Sequence, residues 1–306
     1  MQFDVTILGS NASIPAYNRH PTSQVLNYNG NLFMVDCGEG AQFRMNDLGI
    51  KRGKLNHIFI SHLHGDHYFG LVALLTSFNL NRREHPLYVY GPLGLEEIIQ
   101  VHFKHSLTQL SYKIHFHPVF IDEAKVIYED QMLTVETIIL KHRLPTTGFL
   151  FKEKKNLRKI IADKITEHNI PHQKINDIKK GEDYISETGK KISNTELTLD
   201  RPPPRSYAFC SDTVYIESFI KQIKDVSTLY HEATFIHEHE VRASETFHTT
   251  TKQAATVAQL ANAGKLLIGH FSARYEDLTP LLLESKEVFP NTFLAEEGKT
   301  FSIGND

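Results

Sequence analysis

The chain has 306 residues, 33 Lys and Arg against 36 Asp and Glu, and a formal net charge of −3. This excludes a globally basic nucleic-acid binder, so any phosphate-binding surface must be local. At 41% hydrophobic and 23% charged the chain suits a packed soluble core in one large domain or two small ones. The two cysteines, Cys37 and Cys210, lie far apart, which argues against a disulfide scaffold and fits a reducing, cytoplasmic setting. Cys37 follows the apolar run LFMVD and reads as a small core residue. MQFDVTILG lacks the basic start of a signal peptide, and no run approaches the ~18 apolar residues of a membrane span.

In chain order, FDVTILG reads as a strand, and Asn29-Gly30 within SQVLNYNGNLFMVDC as a two-residue hairpin turn. EGAQFRMNDLGI has helical spacing and ends near Gly49. LNHIFIS is a strand with His57 packed before it, YFGLVALLTSFNL a helix, PLYVYG a buried strand and GLEEIIQVHFKH a helix. KIHFHPV, KVIYED and MLTVETIIL read as strands. Between Lys152 and Lys191 eleven Lys and Arg stand against seven Asp and Glu, with two short helical pieces, before three prolines in LDRPPPRS stop regular structure. A solvated surface insertion and a basic arm that meets phosphates both fit this stretch. Core structure resumes at SYAFCSDT. VSTLYHEATF is a strand, TTTKQAATVAQLANAG a helix ending at Gly264, KLLIGHFS a strand, DLTPLLLESKEVF a helix and NTFLAEEG the last strand. Runs of strands with helices between and after them imply two sheets flanked by helices.

The chemistry concentrates in HLHGDH, at the end of LNHIFIS. His62, His64, Asp66 and His67 cannot all be buried without a partner, since an unpaired buried polar group costs several kcal/mol. A metal satisfies them, and zinc is the default for imidazole and carboxylate ligands. In an extended loop His62 and His64 point the same way. Asp66 and His67 then turn to a second position about 3–4 Å off, the separation of two-metal sites. The bland alternative is a cluster of solvated histidines.

H-x-H-x-D-H after an apolar strand resembles the signature of the metallo-β-lactamase superfamily. The resemblance runs from Leu8 to Ser272 and implies an α/β fold, an αββα sandwich of two mixed sheets flanked by helices, as a single domain over 1–306. It also implies the remaining site residues. His62, His64 and His142 (IILKHRL) would hold one metal, and Asp66, His67 and His270 (LIGHFS) the other. Asp212 (FCSDT) would bridge them, and Asp36 (VDCGEG) would orient the metal loop.

YHEATF (Tyr230–Phe235) and FHTT (Phe247–Thr250) narrow the likeness to the ribonuclease Z family of tRNA 3′-processing endonucleases. That resemblance implies hydroxide attack on the phosphodiester after the discriminator base of a tRNA precursor, leaving a tRNA 3′-OH and a trailer 5′-phosphate. Asp66 would be a ligand and proton acceptor, His248 the acid that protonates the leaving oxygen, and Glu232 its orienter; the threonines after His248 can also cap a helix. The cofactor would be two Zn²⁺ per subunit, with Mn²⁺ or Mg²⁺ as alternatives.

The resemblance also turns residues 152–195 into an inserted basic arm that clamps tRNA and serves the site of a homodimer partner. Lys154, Lys155, Arg158, Lys159, Lys179 and Lys180 would meet phosphates. The family's Gly-Pro rich arm tip is here IPHQKINDIKKGE. In PAYNRH Arg19 is kept, and Tyr17, placed to stack on a base, replaces the usual lysine. A small-molecule phosphodiesterase or arylsulfatase-like hydrolase on the same metal centre is the second reading.

Overall fold

The computed structural model describes residues 2–304. β1 (Phe3–Gly9), β2 (Ser23–Tyr28) and β3 (Asn31–Cys37) form an antiparallel meander. Asn29 and Gly30, at φ 50° and 88°, make the left-handed pair that a two-residue hairpin demands. α1 (Ala41–Asp47), β4 (Leu55–Phe59), α2 (Gly65–Leu80), β5 (Leu87–Pro92), α3 (Leu95–His105) and β6 (Ile114–Val119) follow, and β3 to β6 run parallel. β7 (Val126–Glu129), β8 (Leu133–Ile139) and β9 (Thr147–Glu153) begin a second sheet.

Glu153–Pro204, with Gln131–Leu133, is a compact unit of its own. It contains β10 (Lys159–Ile160), α4 (Ala162–Glu167), α5 (Ile175–Lys180), β11 (Tyr184–Ile185), β12 (Lys191–Ile192), α6 (Asn194–Leu197) and β13 (Thr198–Leu199). Its small core joins Ile170, Ile178, Tyr184, Ile192 and Leu197. Buried Asn194 ties it together, donating to the carbonyls of Ile178 and Glu182 at 2.6 and 2.8 Å. The unit passes the expected boundary at 195 because β13 must pair with β10 to close it.

The second sheet is completed by β14 (Ser206–Cys210) and β15 (Thr228–Glu232), then, after α7 (Glu240–Glu245) and α8 (Thr251–Leu260), by β16 (Leu266–Gly269), α9 (Thr279–Val288) and β17 (Thr292–Leu294). Its order is β17-β16-β15-β14-β9-β8-β7, with β14 to β17 parallel. β18 (Thr300–Ser302) returns to the first sheet beside β1, so NTFLAEEG is not the last strand.

The sheets face each other through Phe33 against Phe151 and Phe59 against Phe149, with ring centroids 5.9 and 5.4 Å apart. On the outer faces α1, α2 and α3 cover Met34, Ile58 and Val89, while α8 and α9 cover Ala208, Leu229 and Ile268. This is the expected layered sandwich of two mixed sheets. Both cysteines are free and buried, Cys37 within the first of these cores.

Several local expectations needed correction. His57 lies within β4, stacked between Phe33 and Tyr88, and burial lowers its pKa to about 4. β9 went unread because TGFLFKE follows directly on the loop that carries His142. α8 ends at Leu260 with Asn262, at φ 52°, taking the left-handed position expected of Gly264. Gly264 serves close packing instead, since a Cβ there would lie 2.7 Å from the Ser227 carbonyl oxygen. Thr250 caps α8 in a capping box with Gln253.

Candidate metal centre and active site

The site forms at the carboxyl ends of the parallel strands, where open α/β sheets place their ligands. Asp36 ends β3, His62 and His64 follow β4, Asp212 follows β14, Glu232 ends β15 and His270 follows β16. Asp36, Asp212 and His270 have φ of 55°, 62° and 56°, a region that Asp and His tolerate better than most residues. The motif is not one extended loop, because α2 begins at Gly65 and puts Asp66 and His67 on its first turn. Gly70 lets that helix approach β3, since a Cβ there would lie 2.2 Å from the Gly38 carbonyl oxygen.

Seven ligand-type residues fall into two groups whose atoms lie within 4.8 Å of one another, His62, His64, His142 and Asp212, and Asp66, His67 and His270; His248 lies equally close to Asp212 and His270. Asp212 reaches both groups. Its Oδ2 is 3.6 Å from His62 Nε2 and 3.7 Å from His142 Nε2, and its Oδ1 is 3.2 Å from His67 Nε2 and 3.1 Å from His270 Nε2. Asp66 Oδ2 lies 3.5 and 3.6 Å from those last two nitrogens.

The far side of four of the five rings is held, while His64 turns Nδ1 toward His62 and His142. The Nδ1 atoms of His62, His67, His142 and His270 meet Ser61 Oγ (3.1 Å), Asp36 Oδ2 (2.6 Å), the Phe247 carbonyl (2.9 Å) and Thr234 Oγ1 (3.0 Å), so Nε2 faces the centre in all four. The Nε2 atoms of His67 and His270 are buried without a hydrogen bond, despite the nearby Asp212 oxygen. Buried lone-pair nitrogens aimed at one point and left without a hydrogen bond fit a divalent cation.

Burial and the neighbouring His67 push His62 well below its ordinary pKa, which leaves it neutral, as a ligand must be. Burial opposes charge on His67, but Asp212, Asp66 and Asp36 outweigh it and raise its pKa, so a metal ion at this position takes the place of a proton. Burial alone would raise Asp66 and Asp212, but His67 and His270 hold both carboxyls well below the usual range. Asp36 is fully buried; it accepts from the Ser61 amide at 2.7 Å and Ser61 Oγ at 2.9 Å, as well as holding His67. Asp36→Asn is therefore expected to weaken metal affinity about 10–100-fold. Competition with a chelator measures it, and unchanged affinity would show that His67 needs no such support.

His248 sits beside the centre with Nδ1 3.1 and 3.2 Å from the two Glu232 oxygens. Glu232 is fully buried and also accepts from the Thr213 amide (2.7 Å), the Thr249 amide (3.0 Å) and Thr234 Oγ1 (2.6 Å). Burial opposes the charge on His248, but this fixed carboxylate outweighs it and raises the pKa to about 9. A cavity of about 520 Å³ opens over the site, lined by Asp66, Asp212 and His248 together with Ser13, Phe69 and Arg143.

Sequence reasoning passed over Ser61 and Thr234, though both stand inside quoted motifs. It had no signal for the Ser13 amide, which donates to Asp66 Oδ2 at 2.8 Å. Tyr17 is exposed, but the Arg19 guanidinium turns inward to Asn11 Oδ1 and the carbonyls of Tyr275 and Glu276. In the arm, Lys155, Arg158, Lys179 and Lys180 line a cavity of about 530 Å³. Arg158 is bonded there to Thr198 and Asp200, and Lys159 is exposed while Lys154 is half-buried.

A family model described as anti-Pycsar protein Apyc1 matches residues 3–185, a span that ends before Asp212, Glu232, His248 and His270. A ribonuclease Z of Bacteroides fragilis is 46% identical over 302 residues, 99% of each chain, and so runs through all four. The crystal structure of human tRNase Z, short form, superposes with a TM-score of 0.73 at 26% identity, covering 99% of this chain and 100% of that one. The metallo-β-lactamase fold protein YhfI from Bacillus subtilis superposes at 0.68 with 18% identity, over 99% and 100%. The fold and the site thus define a hydrolase of the metallo-β-lactamase fold that uses divalent metal. Within that class, by identity sustained along its whole length, the chain belongs to the ribonuclease Z family, and its residues 3–185 also fit the Apyc1 family model.

Proposed function

We propose that this protein is an endoribonuclease that removes the 3′ trailer from tRNA precursors by cutting after the discriminator base. The observation that carries this reading is the His248–Glu232 pair beside the seven converging ligands. A phosphodiester whose leaving group is a sugar oxygen needs a proton at that oxygen, and an imidazole fixed by a buried carboxylate supplies one. His62, His64 and His142 would hold one Zn²⁺, Asp66, His67 and His270 the other, and Asp212 both. When bound, such ions lower the pKa of water and offset the charge gathering on the phosphoryl oxygens.

The chain's own residues do the rest. Asp66, held by the Ser13 amide, is positioned to accept a proton from the attacking water. His248, held through Nδ1 by Glu232, keeps Nε2 for the departing 3′ oxygen. Tyr17 and the arm lysines Lys154, Lys155, Lys159, Lys179 and Lys180 would carry RNA contacts, whose phosphate part weakens with salt. Arg19 and Arg158 would shape loops that present those groups. A cytoplasmic homodimer, with each arm serving the partner's site, belongs to the same reading. Among the described residues no helix is long and apolar enough to cross a membrane.

The test is cleavage of a labelled precursor carrying a 3′ trailer, by wild type and Asp66→Ala in parallel. Cleavage after the discriminator base by wild type alone is expected. Hydrolysis of small aryl diesters with no cleavage of the precursor would transfer the site to a small-molecule phosphodiesterase.

A further inference from the structure

A second cavity, of about 690 Å³, lies beside the one over the ligands, and His248 lines both. The chain at 246–248 is the wall between them. Thr246 and His248 face the ligand cavity, and Phe247 and His248 face the other. Phe247 stands at φ 61°, with its carbonyl held by His142 Nδ1, so the wall is tied to the ligand cluster.

The second cavity contains no member of the two ligand groups. Tyr215, Phe247 and the largely exposed Val241 give it an apolar, aromatic lining. Its charged groups are Lys141 and His248 against Glu240 and Glu245. Glu240 accepts from Gln253 Nε2 at 2.8 Å, and Tyr215 is held by Glu217 through its hydroxyl at 2.6 Å. Two carboxylates balance the two cations, so the lining offers no net positive charge to a phosphate, while an aromatic wall with polar edges suits an uncharged nucleoside.

We infer that this cavity is the subsite for the nucleoside on the leaving-group side of the scissile bond, with Tyr215 stacking on its base. The inference rests on the endoribonuclease reading above. In an in-line displacement the attacking and leaving oxygens lie on opposite sides of phosphorus. The attacking water belongs at the ligand cluster, so the departing 3′ oxygen must face away from it and touch the acid. The water oxygen bonds to phosphorus, the P–O3′ bond breaks, and the His248 proton goes to O3′. The nucleoside bearing that oxygen is then carried past His248 into the second cavity. Its base is the discriminator, and the trailer stays over the ligand cavity.

The test is a cycle between protein and substrate. Wild type, Tyr215→Ala and Tyr215→Phe, each checked for melting temperature and metal content, are assayed on three precursors: intact, abasic at the discriminator, and abasic at the first trailer nucleotide. Tyr215→Ala should lower kcat/KM on the intact precursor about 10-fold, and Tyr215→Phe should restore it. Wild type should lose the same factor on the discriminator-abasic precursor, where Tyr215→Ala loses nothing further. On the trailer-abasic precursor the full Tyr215→Ala defect should persist. A defect independent of the discriminator base, one that follows the trailer base, or none would overturn the subsite while leaving the endoribonuclease reading intact. Should Tyr215→Ala fail to fold, the wild-type comparison of the two abasic precursors still decides, since equal rates on both would refute the assignment. Failure of wild type to cleave the intact precursor while hydrolysing a small aryl diester would overturn both.

Discussion

Asp212→Ala is expected to empty the centre and to lower turnover by at least about 10³-fold. The carboxylate reaches both ligand groups, with Oδ2 toward His62 and His142 and Oδ1 toward His67 and His270. Its loss removes a ligand from each group at once and withdraws a negative charge that offsets the charge of the bound cations. Transition-state stabilisation by bound divalent ions is worth several kcal/mol, and each 1.36 kcal/mol is a factor of ten in rate. Metal content by elemental analysis and cleavage of precursor should fall together. Full metal content with cleavage abolished would confine Asp212 to the chemical step, and full content with full activity would remove it from the centre. Apo wild type, prepared with a chelator, is the reference for separating lost metal from lost fold.

His248→Ala is expected to cut turnover roughly 10²–10⁴-fold while leaving metal content and RNA binding in place. Its ring lies beside Asp212 and His270, but its Nδ1 is committed to Glu232, and the seven other ligands remain in the variant. That carboxylate favours the protonated imidazole over the neutral one, so the proton is available. A substrate with sulfur in place of the bridging 3′ oxygen tests this directly, because a thiolate leaves without a proton. On that substrate His248→Ala should recover most of the lost rate. An equal loss on both substrates would mean that His248 acts by positioning rather than by proton donation. Glu232→Gln keeps the shape but removes the charge, and should fall between wild type and His248→Ala.

Much of this was legible in linear form. The HLHGDH run announces metal chemistry because four ligand-type side chains within six positions cannot be buried unpaired. Strand and helix order followed from periodicity, since one face of each element had to meet a core, and Asn29-Gly30 marked its turn by backbone preference alone. Local pattern misled where a side chain or backbone group answered to distant partners. Gly264 resembles a helix terminator but is small so that Ser227 can approach. β18 is too short to stand out, and exists because β1 offers it an edge.

Other features depended on the chain's return to itself. Which ring nitrogen faces the centre is set by Ser61, Asp36, Phe247 and Thr234, three of them far in sequence from the histidine they hold. Arg19 had the composition of an RNA contact, but the carbonyls of Tyr275 and Glu276 turned it inward. The cavity beyond His248 is assembled from residues between 141 and 253, and no periodicity could announce it. Ligand identity is a property of residue type and spacing, which a linear chain carries. Tautomer, orientation and enclosure are properties of packing, which appear only when elements distant in sequence compete for the same space.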